Sequence, residues 1–75
     1  MTIPSPLVLE LRAIRRELGL SLTQVADRLE IRSSALSDWE NGIHQPYLSS
    51  LELWASALGY ELDLHPISRK KAYEL

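Results

Sequence analysis

The sequence predicts a small, mostly α-helical domain of four short helices followed by one short β-strand. Apolar residues recur every three or four positions in four segments between residues 6 and 58, and glycine or proline separates these segments except at the break near Glu30 and Ile31. At residues 60–64 apolar and polar residues alternate instead, which is typical of a half-buried strand. We expect an N-terminal arm (1–5), a compact domain (6–66) and a basic tail (67–75).

Capping residues and apolar stripes define the first two helices. Pro6 suits a first helical turn, where its missing N–H costs nothing, and Gly19 suits the end of that helix. Ser21 and Gln24 form a predicted capping box at the start of the second helix. The apolar stripes of the two helices are Leu7, Leu11, Ile14 and Leu18, then Leu22, Val25, Ala26 and Leu29.

The third and fourth helices are bounded by turn residues. Residues 33–39 carry Leu36 and Trp39 on one face and serines on the other, and Asn41-Gly42 ends this helix. Pro46 marks the next start and Gly59 the next stop. The stripe between them is Leu48, Leu51, Trp54, Ala55 and Leu58.

The predicted strand indicates a homodimer. A lone strand in a helical domain has an unpaired edge, which the same strand of a second copy can complete. The residues assigned to this interface are Leu53, Ala57, Tyr60, Leu62 and Leu64. The alternative is that residues 60–64 continue as helix or loop across the core of their own chain.

Charge is distributed unevenly along the chain. The formal net charge of -2 excludes a domain held to nucleic acid by bulk positive charge. Residues 1–42 hold five arginines and six acidic residues, residues 43–66 hold three acidic residues and no Lys or Arg, and residues 67–75 hold three basic residues and one acidic residue. Any contact with nucleic acid must therefore come from local placement of a few side chains.

Several other classes of protein are not expected. Without cysteine the chain has no disulfide framework or cysteine-ligated metal, and two isolated histidines, His44 and His65, do not indicate a metal site. Neither histidine lies near a serine in a nucleophile motif, and a glycine-rich phosphate loop is missing. We expect neither an enzyme nor a cofactor. The sequence has no apolar run of membrane-spanning length, so we expect a cytoplasmic protein without a membrane partner.

The second and third helices have the spacing of a helix-turn-helix unit. If Leu22 is the first of twenty positions, the interior positions hold Val25, Ala26, Leu29, Ile31, Leu36 and Trp39. Together with Leu18-Gly19-Leu20-Ser21, Trp39-Glu40-Asn41-Gly42 and Pro46, this pattern resembles the Xre/Cro family of phage and bacterial repressors. The resemblance implies the compact four-helix fold of lambda repressor. Residues 57–62 resemble the antitoxin-type subgroup, whose C-terminal strand pairs across a dimer.

The resemblance also implies roles for individual residues. Side chains facing base edges would be Ser33, Ser34, Ser37 and Asp38, and Arg32 at the helix entrance could grip a guanine or a phosphate. Residues that would contact the DNA backbone are Thr23, Gln24, Asn41 and His44. Arg15 and Glu40 would form a structural ion pair. By contrast, Arg12, Arg16 and the cluster at residues 69–71 are expected to be solvated.

This sequence departs from the family pattern at Leu22, Glu30, Arg32 and Tyr47, of which Arg32 and Tyr47 stand at helix-capping positions. Glu30 replaces the usual glycine of the tight turn, which implies a strained left-handed residue or a differently shaped turn. Leu22 replaces a glutamine that commonly contacts phosphate.

We expect a dimeric repressor that binds double-stranded DNA at an inverted repeat. The alternative is an antitoxin-like module that binds a protein partner through residues 43–66 and also regulates its own operon.

Overall fold

The computed structural model describes residues 3–64 and confirms four short helices. They are α1 (Pro6–Glu17), α2 (Leu22–Leu29), α3 (Ser33–Glu40) and α4 (Leu48–Ala57). The Ser5 side chain accepts a hydrogen bond from the Val8 N–H at the start of α1, and Ser21 forms a capping box with Gln24 at the start of α2. The predicted basic tail at residues 67–75 lies outside the described residues.

The four helices enclose one core. Its buried apolar residues come from every helix and from the residue after α4: Val8, Leu11, Val25, Ala26, Leu36, Trp54, Ala55 and Leu58. Two predicted stripe residues, Leu18 and Leu48, are instead exposed. Leu18 follows the last residue of α1 and Leu48 is the first residue of α4, so neither lies over the core.

All four helices end in the same backbone arrangement. A residue with positive φ follows each helix, and the next N–H donates to a carbonyl five residues back, as in a Schellman motif. Glycine takes this position after α1, α3 and α4, but Glu30 takes it after α2 with φ 57° and ψ 40°. The turn between α2 and α3 therefore has the shape that glycine normally allows, built with an L-residue.

Gly42 is also required for a close contact between α3 and the N-terminal arm. A Cβ atom at this position would lie 2.8 Å from the backbone nitrogen of Pro4. The arm consequently lies directly against the turn that follows α3.

The predicted strand at residues 60–64 is not present in the part of the chain that the structure describes. Leu62 is half-buried and packs against the core of its own chain, whereas Leu64 is 94% exposed. The Leu64 N–H donates to the Asp63 carboxylate at 2.8 Å. Strand pairing with a second copy therefore stays a prediction, and within one chain the segment is irregular.

Candidate nucleic-acid interface

The outer face of α3 presents short polar side chains. Ser33 and Ser34 are exposed in its first turn, and Ser37 and Asp38 are half-buried one turn later. On the side that faces the core, Leu36 and Glu40 are buried. Small hydroxyl groups on a helix that is anchored on its other side allow close approach to a groove of DNA, where serine can contact a base or a backbone oxygen.

Arg32 lies at the entrance of this helix. It is exposed, has extended backbone at φ −74° and ψ 142°, and caps α3 without a side-chain hydrogen bond. Its guanidinium is therefore available beside Ser33 and Ser34. Arginine in such a position can donate two hydrogen bonds to guanine or to a phosphate.

The residues predicted to contact the DNA backbone differ in how many of their polar atoms remain available to bind a phosphate. Thr23 and His44 are exposed. Gln24 uses its Oε1 to accept the Ser21 N–H at 2.8 Å, which leaves its amide nitrogen for an external acceptor. In contrast, the Asn41 amide nitrogen donates to the Ser37 carbonyl at 2.9 Å and lies 3.2 Å from the Ser37 hydroxyl. To donate to a phosphate, Asn41 would have to weaken these bonds.

Arg15 and Glu40 form a buried ion pair that fixes α3 to α1. Arg15 Nε donates to Glu40 Oε2 at 2.7 Å, and Arg15 Nη2 donates to Glu40 Oε1 at 2.9 Å. Arg15 Nη1 also donates to the Leu20 carbonyl at 2.8 Å, in the turn that leads into α2. The hydrogen bonds that Arg15 donates to Glu40 raise the pKa of Arg15 above its ordinary value, against the opposing effect of desolvation. One guanidinium thus links α1, the start of α2 and the end of α3.

Two further arginines bind helix ends, a role that the sequence interpretation missed. Arg12, expected to be solvated, is half-buried, and its Nη1 donates to the Glu40 carbonyl at 3.2 Å. Arg28 Nη1 donates to the Ala57 carbonyl at 2.9 Å. Both place a cation at a helix C-terminus, where it satisfies an otherwise unpaired carbonyl and complements the helix dipole. No local sequence signal indicates either contact, because each joins residues 28 or 29 positions apart.

The residues assigned to a dimer interface lie on α4 and in the segment after it. Leu53 is 63% exposed, Tyr60 and Leu64 are also exposed, and Ala57 and Leu62 are half-buried.

Within residues 3–64 no cluster of histidine and carboxylate side chains could hold a metal ion. In the same part of the chain, none of the helices has the length and apolar character needed to cross a membrane.

Comparison with known proteins agrees with this arrangement. A family model described as helix-turn-helix matches residues 11–65, which include α2, α3 and most of the supporting core. None of the curated proteins searched matches the chain. The match covers most of the chain, and the structure places a short helix, a tight turn and an exposed second helix in the order that the family requires. The chain therefore belongs to the Xre/Cro-type helix-turn-helix family of transcription regulators.

Proposed function

We propose that this protein is a dimeric, sequence-specific repressor whose α3 helices enter successive major grooves of an inverted-repeat operator. The observation that carries the proposal is the outer face of α3, where Arg32 and exposed serines lie opposite a side anchored by a buried ion pair. In such a complex the two recognition helices lie about 34 Å apart, one turn of DNA. The chemistry of this surface is binding rather than catalysis.

Specific contacts would outweigh bulk electrostatic attraction in this complex. Three of the five arginines within residues 3–64, Arg12, Arg15 and Arg28, donate hydrogen bonds to the protein itself. Arg16 and Arg32 make no protein hydrogen bond among the contacts described for that part of the chain. Because each phosphate contact adds about 0.9 to the slope of log affinity against log salt, we expect a shallow slope.

Selection of bound fragments from random DNA, followed by fluorescence anisotropy, tests this proposal. The selected site should be an inverted repeat, and Arg32→Ala should weaken binding to it about tenfold or more. Ser33→Ala with Ser34→Ala should reduce discrimination between the selected site and scrambled DNA. A matched control is Ser49→Ala with Ser56→Ala, which removes two exposed serines from α4. Equal discrimination by both double variants would contradict the role of α3.

A second candidate function is that of an antitoxin-like module that also binds a protein partner. Exposed apolar side chains around α4 favour this possibility, because Tyr47, Leu48 and Leu53 are all exposed at different positions around the helix. Large exposed apolar side chains are available to a protein partner. Co-purification of a specific partner that is lost in Leu48→Lys, with DNA affinity unchanged, would support this role. DNA binding without any such partner would favour the repressor alone.

A further inference from the structure

The N-terminal arm packs against the turn that follows α3, residues 41–46. A Cβ atom at Gly42 would lie 2.8 Å from the Pro4 nitrogen and 3.0 Å from the Ile3 carbonyl carbon. A cavity of about 170 Å³ is lined by residues 3–5 together with His44. The arm therefore touches the turn backbone to backbone at Gly42 and lies beside His44.

This turn carries two of the residues predicted to contact the DNA backbone, Asn41 and His44, on either side of Gly42. In the part of the chain that the structure describes, residues 44–46 donate one backbone hydrogen bond, from the His44 N–H to the Asp38 carbonyl at 3.4 Å. The Ile43 N–H donates to the same carbonyl at 2.9 Å, so the two groups share one acceptor. Packing against the arm thus supplies a constraint on the turn that these hydrogen bonds do not.

Residues 3–5 have little chemistry of their own for binding DNA. Ile3 is apolar, Pro4 has no N–H, and the Ser5 hydroxyl accepts the Val8 N–H at 3.2 Å as the cap of α1. None of the three carries the positive charge that supplies most of the attraction to a phosphate backbone. A contribution of these residues to DNA binding must therefore pass through the residues that they touch.

We infer that the N-terminal arm is a positioning element for DNA binding, which holds the turn after α3 so that Asn41 and His44 reach the DNA backbone. This inference rests on the proposed function and adds to it a segment that lies behind the interface. With the arm in place the turn is ordered before DNA arrives, whereas without it the turn loses conformational entropy on binding. Loss of the arm therefore weakens the complex without removing any group that contacts DNA.

A double-mutant cycle measured by fluorescence anisotropy tests whether the arm acts through the turn. The first change deletes residues 2–4, which keeps Ser5 as the cap of α1, and the second is Asn41→Ala with His44→Ala. Each change alone should raise the Kd for the selected site by about three- to tenfold. Together they should raise it no more than the larger single effect, because the arm then has nothing to position. Additive losses would overturn the inference, and so would full affinity after the deletion.

Circular dichroism and stoichiometric titration with DNA separate positioning from folding. The shortened chain should keep its helical signal and its full fraction of binding-competent protein, so that only the Kd changes. Pro4→Gly is a milder second variant, because it removes a ring carbon that lies 3.0 Å from the Cβ position of Gly42. It should show the same non-additivity with the turn variant. A smaller competent fraction with an unchanged Kd would mean that the arm only stabilises the domain, and would overturn the inference.

Gly42→Ala disturbs the contact without removing the arm. Gly19→Ala is the matched control, because Gly19 has nearly the same φ, 71° against 75°, but its added Cβ meets nothing within 4 Å. Gly42→Ala should raise the Kd for DNA more than Gly19→Ala does in the full chain. After deletion of residues 2–4 the two substitutions should have equal effects, because the atoms that the Gly42 Cβ would meet are gone. Equal effects in the full chain would overturn the inference.

Failure of the proposed function gives a different result from failure of this inference. If the wild type selects no DNA site, the proposed function is rejected and the inference with it. If the wild type binds its site but Asn41→Ala with His44→Ala leaves the Kd unchanged, only the inference is rejected, since the turn then makes no contact for the arm to position.

Discussion

Replacing Glu30 with glycine should stabilise the protein. Glu30 adopts φ 57° and ψ 40°, and the Ile31 N–H that follows donates to the Ala26 carbonyl at 3.0 Å. Gly59 takes the same position after α4 without strain. The left-handed conformation costs an L-residue about 1–2 kcal/mol, and glycine removes this cost. The unfolded chain of the glycine variant has more conformational freedom, which lowers the stability of the fold by about 0.4–1 kcal/mol and offsets part of the gain. We therefore expect Glu30→Gly to raise the free energy of unfolding by about 0.5–1 kcal/mol.

Thermal unfolding followed by tryptophan fluorescence measures this effect. For a domain of this size the gain corresponds to an increase in Tm of about 2–8 °C. Glu30→Ala is the control, because it removes the carboxylate but keeps the Cβ and should give no comparable gain. Gly59→Ala should lower stability by about 1 kcal/mol, since an added Cβ meets nothing within 4 Å and only the backbone conformation is penalised. Equal stabilisation by Glu30→Gly and Glu30→Ala would refute the backbone explanation.

Two other perturbations test the packing. Arg15→Ala should lower the free energy of unfolding by about 3 kcal/mol in urea titrations, because it leaves a buried carboxylate unpaired; a loss below about 1 kcal/mol would contradict this. Gly42→Ala should destabilise the fold more than Gly19→Ala, because only the Gly42 variant drives a Cβ to within 2.8 Å of backbone; equal losses would argue against the arm contact.

Local signals in the sequence predict the helices well but only part of the buried stripe on α1. The capping box and the residues after each helix determine where the helices begin and end. Hydropathy selects Leu7, Leu11, Ile14 and Leu18, whereas the structure buries Val8, Leu11 and Arg15 and leaves Leu7 and Ile14 half-buried. Arg15 can be buried only because Glu40, 25 positions away, neutralises it. Helical periodicity contains no information about a partner at that distance, and only the family resemblance indicated the pair.

The candidate interface could be predicted only in part, because periodicity indicates which residues of a helix face outward but not which atoms they contact. The serines of α3 are placed on its outer face by the burial of Leu36 and Glu40, and periodicity within one helix is enough to indicate that. The availability of polar atoms was not predictable in this way. Whether Gln24 and Asn41 can donate depends on the particular oxygens they already contact, and these follow from side-chain geometry rather than residue type.

The proposed function implies how the protein would discriminate among DNA sequences. A regulator that contacted DNA mainly through arginines would bind any phosphate backbone, because that attraction carries no sequence information. Here Arg12, Arg15 and Arg28 are held by a carboxylate or by helix carbonyls, so most of the positive charge within residues 3–64 stabilises the domain. Arg32 remains beside the serines of α3. The net charge of -2 leaves little non-specific attraction in the proposed complex, so complementarity at α3 would supply a large share of the affinity, and a poorly matched site would have little else to hold the protein.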